Sequence, residues 1–206
     1  MSEIALPNYK DMIGRAYVYD LDNAVRASKY PMLTDVKGAT SEVVARTDSL
    51  ASAPIGSGHN NFLSGIIVCM DLTMSNKMCV EWQRYHFQQI VSSQSTMHRI
   101  TKMDLDKAYN EYVDKKVINI LDKHIDTYNH YVDIGDTEKA KETYLIILYT
   151  NPCGMLLTQR VVTNYLQLKT MYKQRRNHRL PEWRDFCEWI ETLPHAEWIT
   201  GENNNE

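Results

Sequence analysis

The chain has 206 residues, a net charge of -3 and an isoelectric point near 6.2. That length suits one domain that buries its core without disulfides or metal, and the acidic balance argues against a general nucleic-acid binder, which carries excess base over the whole domain. Cys69, Cys79, Cys153 and Cys187 form no CxxC pair, the N-terminus lacks the plan of a signal peptide, and no apolar run nears the roughly 18 residues of a membrane helix, so a cytoplasmic protein with reduced thiols is expected.

Taken in order, Ala24, Val25, Ala27 and Tyr30 give a short helix that Pro31 ends, and Thr40 to Ala53 reads as a second. Pro54, Gly56 and Gly58 mark a loop that delivers His59. The run FLSGIIVCM, from Phe62 to Met70, has the pattern of a strand buried on both faces, and Lys77 to about Val91 reads as helical. Thr101 and Asp104 have the spacing of a capping box. An apolar stripe follows from Leu105 to Leu121, so the best-defined helix is expected there, with His124 packing at its edge. Asp136 and Thr137 can cap a helix to about Leu148, although YLIILYT is equally strand-like, and Asn151, Pro152 and Gly154 break it. From Leu156 to Arg179 the chain turns basic and reads as a helix after Thr163 or Asn164. Leu168, Tyr172, Arg175 and Arg179 would share a face, with Gln174 and His178 beside Arg175. Pro181 then opens a last helix, with Trp183, Phe186, Cys187 and Ile190 as its apolar face and Pro194 as its stop. The reading is one α+β domain over residues 1–199 with a flexible polar tail at 200–206.

The chemistry concentrates between Glu81 and Arg99. Arg84, His86, His98 and Arg99 surround Ser92, Ser93, Gln94, Ser95 and Thr96, small hydrogen-bonding side chains flanked by positive charge, which suits an oxyanion such as a phosphate. A solvated polar loop between helices has the same composition. The segment Lys169 to Arg184 is equally open: a solvated basic face, a ligand site, or a patch for nucleic acid that the acidic remainder of the chain disfavours. No Ser/His/Asp or Cys/His signature and no metal-ligand spacing stands out.

Three separated pieces together resemble the flavin-dependent thymidylate synthases, the ThyX family. His59-Asn60-Asn61-Phe62 looks like its histidine-plus-aromatic segment. Gln83-Arg84-Tyr85-His86, followed by Ser92-Ser93-Gln94-Ser95 through Arg99, stands where its Arg-His-Arg and Ser-x-Asn-Glu-x-Ser-x-Arg motifs would fall. Asn164, Leu168, Tyr172 and Arg175 are similar in spacing to its C-terminal helix, Glu182-Trp183 to its last one, and Arg26-Ala27-Ser28 to an early segment. The resemblance spans residues 22 to 190.

What it implies is an α+β fold of a small, mostly antiparallel sheet and long helices, assembled as a homotetramer with FAD and dUMP bound where subunits meet. NADPH would reduce the FAD, and a one-carbon unit would pass from methylenetetrahydrofolate to C5 of dUMP. Arg175 would be catalytic, facing the uracil carbonyl, with Gln94, Ser95 and Arg99 on the dUMP phosphate. His59, Arg84, His86, His178 and Ser28 would contact FAD. The chain departs from the pattern in having Arg84-Tyr85-His86-Phe87 for Arg-His-Arg, no Asn-Glu pair, and Ser95 four residues before Arg99 instead of two. It looks like a divergent branch of the kind associated with phages and mobile elements. Hydroxymethylation of dUMP is a close variant, and a non-catalytic nucleotide-binding protein on the same fold is the alternative.

Overall fold

The computed structural model of the protein describes residues 3–201. In chain order the elements are β1 (Glu3–Ala5), β2 (Ile13–Tyr19), α1 (Leu21–Ser28), α2 (Ala45–Ser52), β3 (Ile67–Ser75), α3 (Asn76–Trp82), β4 (Gln88–Ser93) and α4 (Thr96–Arg99). There follow α5 (Lys115–Asp133), α6 (Thr137–Thr150), β5 (Leu156–Asn164), α7 (Tyr165–Arg175), α8 (Pro181–Ile190) and α9 (Glu197–Thr200). The strands form a sheet in the order β1-β2-β3-β5-β4. β1 and β2, and β2 and β3, pair antiparallel. β5 runs against β3, with Tyr165 N–H on Ile66 O at one end and Asn76 N–H on Met155 O at the other. The chain is therefore α+β, as expected. The polar tail beyond residue 201 lies outside the described residues, where no helix is long and apolar enough to cross a membrane.

Two compact units make up the chain: one of residues up to 72, 82–92 and from 160 on, the other of residues 73–81 and 93–159. The core of the first is aromatic. Trp82, Trp183, Trp189 and Trp198 are all fully buried; Trp82 stacks on Trp183 at 5.9 Å and meets Phe186 edge-on at 5.2 Å. Such arrangements contribute about 0.5–1.5 kcal/mol per pair beyond the area buried. The core of the second unit is Ile100, Tyr109, Leu121, Ile125, Ile147, Met155 and Leu157, with α5 packed against α6.

Local capping chemistry sets several helix starts. The Asp136 carboxylate accepts from Lys139 N–H at the start of α6, Asn164 Oδ1 from Gln167 N–H at the start of α7, and Pro181 occupies the first turn of α8.

Elsewhere the structure corrects the sequence reading. The helix expected from Thr40 begins only at Ala45. Phe62 lies in a 3-10 turn over Asn61–Gly65, and β3 follows with buried and half-buried residues alternating, so one face of it is buried, not two. The helix expected from Lys77 to Val91 stops at Trp82, and β4 takes its second half. The expected capping box at Thr101 is absent: Asp104 instead accepts from Asp106 N–H in a turn and pairs with Lys107. Tyr109 then bridges Met155, and the long helix starts after Asp114, whose carboxylate accepts from Lys116 N–H. Leu156 to Asn164, to which the sequence assigns no element, form a strand in which Leu157, Gln159, Val161 and Thr163 bury every second residue, and α7 begins at Tyr165, where the helix is expected. Arg179 lies past the end of α7 and does not share its face. A short helix, α9, follows Pro194.

Candidate functional site

Arg175 is the last residue of α7, where a positive charge is favoured by the helix dipole. Its guanidinium is held from several sides. Nε donates to Tyr85 Oη at 2.8 Å, Nη1 lies 3.0 Å from His178 Nε2, and Cζ sits 4.9 Å from the Trp183 ring centre. Tyr85 Oη in turn donates to Gln174 Oε1 at 3.0 Å. Leu180 N–H points at His178 Nδ1 from 3.2 Å. A neutral imidazole has one acceptor nitrogen, so the His178 ring can accept from Leu180 or from Arg175 but not from both at once. The outcome is a permanently charged, planar fork fixed against two aromatic rings, a group suited to a developing negative charge on a planar ligand.

Tyr85 sits in the turn that carries two of the expected cofactor residues. Phe87 N–H donates to Gln167 Oε1 at 3.1 Å, and Thr163 Oγ1 donates to Phe87 O at 2.9 Å. Held this way, the turn buries Tyr85 and leaves Arg84, His86 and Phe87 exposed. Sequence reasoning passed over Tyr85. Its signal was present, an aromatic residue at the centre of the altered Arg-His-Arg motif, but an inward orientation is set by partners on α7, 89 and 90 residues away.

Ser28 and His59, both expected to contact the cofactor, line one cleft. With Ala27, Pro31, Gly58, Asn61 and Phe62 they line a cleft of about 300 Å³, at the lower end of the ligand-pocket range of ~300–1,000 Å³. Ser28 is buried and its hydroxyl proton is used on Val25 O at 2.7 Å, so toward a ligand the oxygen can only accept. His59 is exposed. The loop beneath it is anchored by buried Asn60, whose Nδ2 donates to Ala53 O at 2.9 Å. Lys169, also buried, donates through Nζ to Ala51 O and Ala53 O at 2.5 and 3.0 Å. Burial, with Lys173 adding, lowers its pKa from the ordinary 10.5. Lys169 therefore closes the C-terminal end of α2 and is no part of an exposed basic patch. Arg184 is likewise occupied, with Nη1 on His178 O and Arg179 O at 2.7 and 3.1 Å.

α7 thus supports both places. Gln167 and Gln174 lie seven residues apart on one stripe, whereas Lys169 is turned roughly 200° from Gln167 at 3.6 residues per turn.

Gln94, Ser95 and Arg99 belong to the other unit. Gln94 completes a ladder to β5 with its backbone and side chain: its N–H donates to Thr158 O at 3.0 Å, and its Oε1 accepts from Thr158 N–H at 2.8 Å. Ser95 is half-buried at the start of α4 with no side-chain capping bond, and Arg99 is exposed at its end.

No protein-family model matches the sequence, and no curated protein matches it at the sequence level. The fold, however, is similar to solved structures of the flavin-dependent thymidylate synthase ThyX from Helicobacter pylori, complexed with FAD and dUMP. One is 13% identical, with a TM-score of 0.64 over 98% of this chain and 98% of that one. Another is 14% identical, with a TM-score of 0.63 over 90% of this chain and 94% of that one.

Proposed function

We propose that the chain is a divergent ThyX-type enzyme, transferring a one-carbon unit from methylenetetrahydrofolate to C5 of dUMP with FAD as cofactor and NADPH as reductant. The observation that carries this reading is the Arg175 guanidinium, fixed between Tyr85 and Trp183 at the end of α7, in a chain that shares its fold end to end with FAD- and dUMP-bound ThyX. A cytoplasmic homotetramer belongs to the same reading.

The cleft at Ser28 and His59 fits one planar ring system of such a cofactor. Phe62, Pro31 and Ala27 offer apolar contact, and His59 and Asn61 offer exposed polar groups. Arg84, His86 and His178 complete the proposed cofactor set. When bound, the flavin supplies the redox and one-carbon chemistry. The chain supplies placement and charge. Arg175 receives the uracil carbonyl and stabilises negative charge as the base gives up or shares its N3 proton. In the proposed tetramer, with dUMP where subunits meet, Arg99, the Ser95 hydroxyl and the Gln94 amide N–H₂ would supply contacts to the phosphate; the Gln94 oxygen is committed to Thr158 N–H. His178 lies beside the fork, its Nε2 3.0 Å from Arg175 Nη1. Hydroxymethylation would differ only in water reaching the one-carbon intermediate.

The test is the visible absorption spectrum of purified protein with FAD, before and after dUMP. A bound flavin whose spectrum dUMP shifts supports one site for both. The missing Asn-Glu pair and the changed Arg-His-Arg motif favour a second reading, a nucleotide-binding protein without flavin chemistry. For that protein dUMP binds by calorimetry and no flavin spectrum appears.

A further inference from the structure

In the turn from Arg84 to Phe87 the inward residue is Tyr85, 8% exposed. Its hydroxyl links two residues of α7 through one atom, accepting from Arg175 Nε and donating to Gln174 Oε1. A phenol has a single proton. With that proton directed at Gln174 Oε1, an oxygen lone pair is left for the guanidinium. The Tyr85 ring adds a second constraint, lying 5.7 Å from Arg175 Cζ and meeting Trp183 edge-on at 6.0 Å. A histidine, the residue at this place in the ThyX pattern, would have to accept and donate through opposite sides of its ring. An unrestrained arginine has many rotamers, and a ligand that needs one of them must meet the cost of ordering it.

We infer that Tyr85 is a positioning residue, holding the Arg175 guanidinium in the orientation that receives the uridylate base; this assignment rests on the uridylate reading above. Gln174 is part of the device, because its Oε1 accepts the phenol's hydrogen bond and so orients the oxygen. The role is specific to a tyrosine, and it explains how the chain keeps an ordered arginine with its central motif altered.

The experiment is a double-mutant cycle in the full-length chain with FAD present, titrating dUMP by calorimetry. Tyr85→Phe keeps the ring and removes only Oη. It should weaken dUMP about tenfold while leaving FAD affinity within about twofold, and in an Arg175→Ala background it should change dUMP affinity by less than about twofold. The Arg175 Nε–H signal in an NMR spectrum, assigned by its loss in Arg175→Ala, should exchange with solvent at least about tenfold faster in Tyr85→Phe. An equal loss of dUMP affinity in both backgrounds overturns the proposal, as does unchanged Nε–H exchange. Absence of dUMP binding by the unsubstituted chain overturns the uridylate reading and this role with it. That failure is distinguishable because it shows before any substitution is made.

Discussion

The backbone N–H of Phe87 donates to the side-chain oxygen of Gln167 across 80 residues of sequence, at 3.1 Å. Gln167 is 5% exposed, and α7 places it in its first turn, on the stripe that later carries Gln174. This bond sets how the Arg84–Phe87 turn is presented. Gln167→Leu keeps the volume and leaves the Phe87 N–H without its acceptor, a loss of about 1–3 kcal/mol. Denaturant unfolding should register that loss. A titration with FAD should show weaker binding, because Arg84 and His86, proposed above as cofactor contacts, ride on the turn.

Arg175→Ala should retain FAD and lose turnover by at least about 100-fold, the scale of removing one preorganised donor from a developing charge. Arg175→Lys should not restore it, since an ammonium reproduces neither the fork nor the contact with Trp183. Steady-state assay of the one-carbon transfer reads both, and unchanged turnover in Arg175→Ala removes the residue from the mechanism.

Lys169→Met should destabilise the fold by about 1–3 kcal/mol, because the Ala51 and Ala53 carbonyls lose a charged donor. The pH dependence has a definite sign. Lys169 has its pKa lowered in the folded chain below the ordinary 10.5, so the folded state releases its proton first. Through the window from the lowered pKa up to 10.5 the unfolded chain binds more protons, and stability rises with pH. Thermal unfolding across that alkaline range should show the rise in the parent chain and a smaller one in Lys169→Met.

Glu188 accepts from Tyr9 Oη at 2.9 Å and from Lys10 Nζ at 3.0 Å, and Lys10 also pairs with Asp185. The Lys10 contact, chiefly, holds the Glu188 carboxyl below its ordinary 4.5. Its contribution is therefore complete above pH 4.5 and is lost as the pH falls through the lowered folded value. The group is exposed, so Glu188→Gln should cost only a few tenths of a kcal/mol at neutral pH. The difference between variant and parent should vanish in acid and shrink in high salt, as read by urea unfolding.

Sequence alone determined the features whose atoms lie within a few residues of one another. Asp136, Asn164 and Pro181 start helices where their local chemistry says they should. Gly56 and Gly58, both at positive φ, turn the chain just before His59, and His178 lies against Arg175 three residues on. Only the tertiary structure decided the rest. Leu156 to Asn164 carry no element that the sequence assigns, and form a strand between β3 and β4. Lys169 reads as one of a run of surface cations until α2 ends against it, 118 residues back, and its charge goes to closing a helix. Tyr85 reads as a motif lost; the fold turns it onto Arg175. A hydrogen bond between residues 90 apart leaves no period or spacing in the chain, because its geometry exists only once both elements have packed.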